Sequence, residues 1–119
     1  MVYRPTRYEQ MMKAAEGFDV RARRMAHGMG IYTGECMFAF LLDDDIGLKL
    51  HPEDLGQALA LPGAELLKTS ENAEPMKEYV RLPKELLDNY ERFVEWVHKS
   101  ANYARSRSMP LVESATAGG

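Results

Sequence analysis

"GIYTGECMFAFLLDDDIGLKL" (residues 30–50) is the stretch whose reading decides the fold. At its end Ile46, Leu48 and Leu50 alternate with Gly47, Lys49 and His51, a period of two that describes a strand with one buried and one wet face. Thr33-Gly34-Glu35 separates Gly30–Tyr32 from Met37–Leu42 as a hairpin turn, and Asp43-Asp44-Asp45 makes a second polar turn. The stretch therefore predicts a three-stranded antiparallel meander. "RARRM" (residues 21–25) leaves room for a short strand ahead of it.

Helical patterns flank the meander. Thr6 and Glu9 form a Thr-x-x-Glu capping box, Tyr8, Met11, Met12 and Ala15 share one face, and Gly17 sits where a C-terminal cap belongs. A helix from about Arg7 to Glu16 follows. Beyond the meander, Pro52 suits a first helical position, Glu53 and Asp54 favour the first turn, and Leu55, Ala58 and Leu59 share a face until Pro62-Gly63. "AELLKT" (64–69) and "PMKEYVRL" (75–82) read as two strands joined by "SENAE". In the second, Met76, Glu78 and Val80 oppose Lys77, Tyr79 and Arg81, which leaves its facing open. Pro83 then opens one helix of about twenty residues, with Leu86, Tyr90, Phe93, Val97, Ala101 and Ala104 along a stripe that Leu87, Val94 and Trp96 widen. The order α-β(3)-α-β(2)-α is that of an α+β domain, an antiparallel sheet with helices packed mainly on one face. Residues 1–107 are expected to form this single domain and 108–119 a flexible tail.

The composition bounds the function. A chain of 119 residues suits one domain, and 45% hydrophobic with 28% charged residues is globular usage. A net charge of −3 gives nucleic acid no global attraction, so binding it would need a local basic patch. Cys36 is the only cysteine, which precludes an intrachain disulfide and makes a reducing compartment the default; in "ECMFAF" it reads as a small core residue. "MVYRPTRYEQ" lacks the apolar region of a signal peptide, and nothing approaches the ~18 apolar residues of a spanning helix. A soluble cytoplasmic protein without membrane association is expected.

No catalytic, metal or cofactor constellation stands out. On a strand over residues 20–25, Arg21 and Arg23 share a face with Met25, while Arg24 points with Val20 and Ala22 toward the core side. That fits a solvated strand face with one paired arginine better than a phosphate handle, although the three arginines are the chain's candidate patch for a partner or nucleic acid. Gly28 and Gly30 lack the Lys-Ser/Thr of a P-loop and open no helix, so they read as a turn or bulge needing positive φ. Three consecutive aspartates alternate in direction and do not converge on one cation. His27, His51 and His98 have no partner at ligand spacing, and Ser70, Ser100, Ser106 and Ser108 lie in polar contexts outside any nucleophile elbow. Met11, Met12, Met25, Met29, Met37 and Met76 read mostly as core filler, with any exposed subset forming an adaptable partner surface.

The chain resembles the TfoX N-terminal domain family of Sxy-like competence regulators. The resemblance rests on Arg23-Arg24-Met25, Gly28, Gly30-Ile31-Tyr32, Met37-Phe38-Ala39 and Asp44 through Lys49, then on Met76, Tyr79, Leu82-Pro83, Glu85, Leu86 and Trp96. It covers about Val20 to Ala104. It implies structural roles for Met25, Gly28, Gly30, Tyr32, Phe38, Lys49, Tyr79, Pro83 and Trp96, and a secretion-chaperone-like arrangement. Ala26-His27-Gly28 replaces the family's Phe-Gly-Gly, and Glu65-Leu66-Leu67-Lys68 replaces a Pro-Phe-x-Tyr-like strand. Full-length competence regulators add a C-terminal domain resembling helix-hairpin-helix modules, which this chain is expected to lack. The resemblance implies a stand-alone, non-enzymatic interaction domain without cofactors, serving bacterial regulation of the transcription or competence type. Its expected partner is another protein, or a second copy in a homodimer through a sheet edge or helix face. Direct nucleic-acid contact through Arg21, Arg23 and Arg24 is the alternative, and an undetected ligand-binding protein or enzyme the third reading.

Overall fold

The computed structural model describes residues 5–25, 28–70 and 72–108. Its elements are α1 (Pro5–Ala14), β1 (Val20–Arg24), β2 (Met29–Thr33), β3 (Cys36–Leu42), β4 (Asp45–Lys49), α2 (Pro52–Leu59), β5 (Glu65–Leu67), β6 (Met76–Arg81), α3 (Lys84–Leu87) and α4 (Tyr90–Ser108). All strand pairings are antiparallel, in the single-sheet order β1-β2-β3-β4-β6-β5. This is the α+β architecture that the pattern implied, with the arginine run forming a strand of its own. Residues 109–119 of the expected tail lie outside the described residues.

Two tight turns set the meander. Thr33 pairs with Cys36 across Gly34-Glu35, and Leu42 with Asp45 across Asp43-Asp44. Gly34 (φ 61) and Asp43 (φ 56) take the left-handed conformation that two-residue hairpin loops require. Asp44 then anchors the second turn to two helices. Arg7 Nε donates to its Oδ1 at 3.0 Å, and Lys84 Nζ reaches its Oδ2 at 2.7 Å. These hydrogen bonds, Lys84 first, hold the Asp44 carboxyl below the usual carboxylate range.

Alternation along the strands sorts side chains into two layers. Toward the helices, Ile31, Phe38, Leu41, Ile46, Leu48 and Val80 bury against Met11 and Ala14 of α1 and Phe93, Trp96, Val97 and Ala101 of α4. Each large side chain buried here contributes about 1.5–3 kcal/mol. On the other face Phe40, Leu67 and Tyr79 form a second, smaller cluster with Met37, Leu42 and Met76 at its margin. This settles the facing of β6: Val80 serves the helix side and Tyr79 the other. The Tyr79 hydroxyl donates to Met37 O at 3.0 Å. Burial pushes its pKa well above the ordinary tyrosine value, so it remains a donor.

A bulge adjusts the register between β2 and β3. Ile31 pairs with Ala39 but Tyr32 with Met37, leaving Phe38 as the extra residue. Its side chain is fully buried. Its carbonyl meets Ser100 Oγ at 2.9 Å, and Lys49 O lies 2.6 Å from the same hydroxyl. Ser100, expected in a polar setting, is thus a buried stitch between α4 and the sheet.

The helix boundaries differ from expectation for local reasons. α1 begins at Pro5, so Thr6 lies inside the first turn instead of capping it. The single helix expected from Pro83 is broken into α3 and α4. Asn89 Oδ1 accepts from the Arg92 N–H at 3.3 Å and starts α4 afresh. His51 caps α2, its Nδ1 accepting from the Glu53 N–H at 3.2 Å.

Candidate functional site

Among the described residues β1 ends the sheet, with β2 as its sole strand neighbour. Met25 N–H donates to Gly28 O at 2.8 Å, and Gly28 N–H returns to Met25 O at 3.4 Å. In an antiparallel ladder such doubly bonded pairs alternate with unbonded ones. Counting back by two, Arg23 opposite Gly30 and Arg21 opposite Tyr32 turn their backbone groups toward β2. Val20, Ala22 and Arg24 therefore turn theirs outward, to the free edge.

The side chains above this edge form a mixed surface on the face away from the helices. Around Gly30, Met25, Met37 and Tyr32 converge so closely that a Cβ there would lie 2.6 Å from Met37 Sδ, 3.0 Å from Met25 Sδ and 3.1 Å from Tyr32 Cε1. Beside them Arg21, Ala22, Arg23, Tyr32 and Glu35 line a shallow groove of about 400 Å³. Arg21 Nη2 donates to Gly34 O, which ties that guanidinium to the β2–β3 turn. Among the described residues no carboxylate lies within 4.0 Å of Arg21, Arg23 or Arg24.

Arg24 departs from expectation in its exposure, not in its direction. Its register opposite Met29 turns it to the core side with Val20 and Ala22, as expected, yet Arg21 through Arg24 are all exposed and Arg24 has no ion-pair partner among the described residues. β1 projects beyond the helix layer, and of its residues only Val20 packs against the main core. Facing inward in the strand alternation does not bury a side chain that no described element covers. The glycines differ too. Gly30 is an ordinary strand residue without positive φ. What excludes a side chain at Gly30 is the methionine and tyrosine packing, and at Gly28 the Leu41 carbonyl oxygen.

The residues singled out by the family pattern divide between two tasks. Phe38 and Trp96 are core, Tyr79 holds the second cluster, half-buried Lys49 pairs with Glu78 at 3.5 Å, and Pro83 sits half-buried ahead of α3. Met25, Gly30 and Tyr32 gather with Arg21 and Arg23 at the open end of the sheet. Met25 is 38% exposed, Met37 and Tyr32 half-buried, whereas Met11 and Met29 are core. Sequence reasoning missed the convergence of Met25 with Met37, because no spacing rule reports which residues of a third strand lie over a glycine.

The remaining polar residues are dispersed. His98 Nε2 lies 3.0 Å from Ala14 O and its ring meets Phe18 edge-on, while His27 is outside the described residues. Cys36 is half-buried, less enclosed than the core position expected for it. Among the described residues no three His, Cys, Asp or Glu are grouped to hold a metal ion, and no helix is long and apolar enough to cross a membrane.

The model of the TfoX N-terminal domain matches residues 12–104. The chain belongs to the TfoX N-terminal domain family. No curated protein matches it. In this TfoX N-terminal domain the matched segment reaches back into α1, earlier than the Val20 start that the motifs suggested, and forward through most of α4. It spans all six strands, and with them the Arg21–Met25 edge.

Proposed function

We propose that this TfoX N-terminal domain is a non-enzymatic protein-interaction module of bacterial regulation, transcription or competence in type, working in the cytoplasm and docking its partner at the β1–β2 end of the sheet. One observation carries the reading: Met25, Met37 and Tyr32 converge over Gly30 on an exposed face rimmed by Arg21 and Arg23. Protein interfaces are enriched in methionine, tyrosine and arginine, and thioethers adapt to varied partners. Family membership supports the regulatory setting.

The test is affinity capture from a bacterial lysate with the wild-type domain and with Arg21→Glu/Arg23→Glu. A partner protein recovered by the first and lost by the second is the expected result. Equal recovery by both, or none, removes the reading.

Single-stranded nucleic acid is the second reading. Tyr32 lies opposite Arg21 and beside Arg23 on an open sheet face, an arrangement in which a base can stack between cationic contacts. Glu35 in the groove and the net charge of −3 weigh against it. A salt-dependent gel shift abolished by the same double substitution would select it over the protein partner.

A further inference from the structure

We infer that the outer edge of β1 accepts an extended acidic segment of a partner protein as an additional antiparallel strand. The inference rests on the interaction-module reading and adds to it the partner's chemistry. Three observations combine. The backbone groups of Val20, Ala22 and Arg24 point outward with no strand beyond them among the described residues, which is the template that strand addition uses. The side chains that would flank an incoming strand are Arg21 and Arg23 on the Tyr32 face and Arg24 on the other, all exposed and without a carboxylate partner among the described residues. Next along the Tyr32 face comes Met25, exposed and apolar.

An antiparallel strand laid on this edge therefore meets, in its own direction of travel, Met25, Arg24, Arg23, Ala22 and Arg21. The complementary order is an apolar residue, two acids, a neutral residue and a third acid. Opposite charges directly across a strand pair stabilise it and like charges destabilise it. That same rule disfavours a second copy of this chain. With Ala22 on the dyad of a β1–β1 pairing, Arg21 would face Arg23 of the other copy. A nucleic acid would satisfy the arginines but leave the outward-facing amides and carbonyls of the edge without their ladder partners.

The test uses the whole chain and a labelled peptide carrying Leu-Glu-Glu-Val-Glu-Thr between Gly-Ser flanks, beside a counterpart with lysine for glutamate and a single-stranded oligothymidylate. Fluorescence anisotropy should show the acidic peptide binding roughly tenfold or more tightly than the lysine peptide, with the advantage shrinking as salt rises. Amide exchange followed by NMR should show new protection at Val20, Ala22 and Arg24 in the complex. Ala22→Pro removes an outward N–H without touching the ladder to β2, so it should abolish binding and leave the melting temperature near wild type. Equal affinity for the two peptides, no binding of the acidic one, or binding without protection at those three amides overturns the inference. So does preference for the oligothymidylate, or a wild-type dimer in light scattering that Ala22→Pro dissolves. A lysate partner lost on Arg21→Glu/Arg23→Glu but retained by Ala22→Pro would remove strand addition and leave the interaction module standing.

Discussion

Ser100 shows how much one small side chain can hold. Its hydroxyl has one proton to share between Phe38 O and Lys49 O, both at hydrogen-bond distance inside the protein. Ser100→Ala leaves those carbonyls without their donor and should cost about 1–3 kcal/mol, read as a lower urea midpoint at unchanged slope. The sequence did carry a hint. Position 100 falls three after Val97 and seven after Phe93, on the buried stripe, although its neighbours Lys99 and Asn102 are polar. Gly28 and Gly30 separate two further cases. A methyl at Gly28 meets backbone, the Leu41 carbonyl, whereas one at Gly30 meets the movable ends of Met37, Met25 and Tyr32. Gly28→Ala should therefore destabilise by about 1–3 kcal/mol, and Gly30→Ala by clearly less while disturbing the surface that the methionines form. Thermal melts of the two variants, with acidic-peptide binding measured alongside, check both halves.

At the scale of elements, the β3–β4 turn is tied to α1 through Arg7 and to α3 through Lys84, with Asp44 as the common acceptor. Because the folded state depresses the Asp44 pKa, its contribution is fully present above the unfolded value of about 3.9 and is lost as pH falls through the lower folded value. Wild type should thus lose more stability than Asp44→Asn between neutral pH and about pH 3, measured by urea unfolding at each pH. The aspartate run was legible as a turn because three acids in a row interrupt the apolar alternation. Its role as a tether was not, since Arg7 lies 37 positions away in sequence. The break between α3 and α4 is a similar case. The apolar stripe runs on through Tyr90, so periodicity alone joins the two helices, and only the Asn89 cap marks the restart. The arginine strand was readable as a possibility; its exposure on both faces was not, because alternation reports direction and says nothing of what lies overhead.

For the whole molecule, one helix layer covers only part of a six-stranded sheet, and the ends of the sheet carry different burdens. β3 and β4 lie inside, bonded on both sides and under α4, while β1 and β5 are the edges. Native-state hydrogen exchange should find the slowest amides in β3 and β4 and fast exchange at the outward amides of Val20, Ala22 and Arg24. Slow exchange at those three in the isolated protein would mean that the edge is already occupied. Composition and periodicity sufficed for the layered architecture, because burial of alternate residues dictates it; the proposed docking end was hidden, because it depends on which side chains the fold fails to cover. The two thioethers above Gly30 add a chemical vulnerability. Peroxide would convert an exposed thioether such as that of Met25 to the sulfoxide, releasing water and placing a polar S=O where a soft apolar atom had been. Mild peroxide treatment should weaken acidic-peptide binding at unchanged melting temperature, with recovery after methionine sulfoxide reductase. An oxidant would then silence the surface while the protein beneath it stays folded.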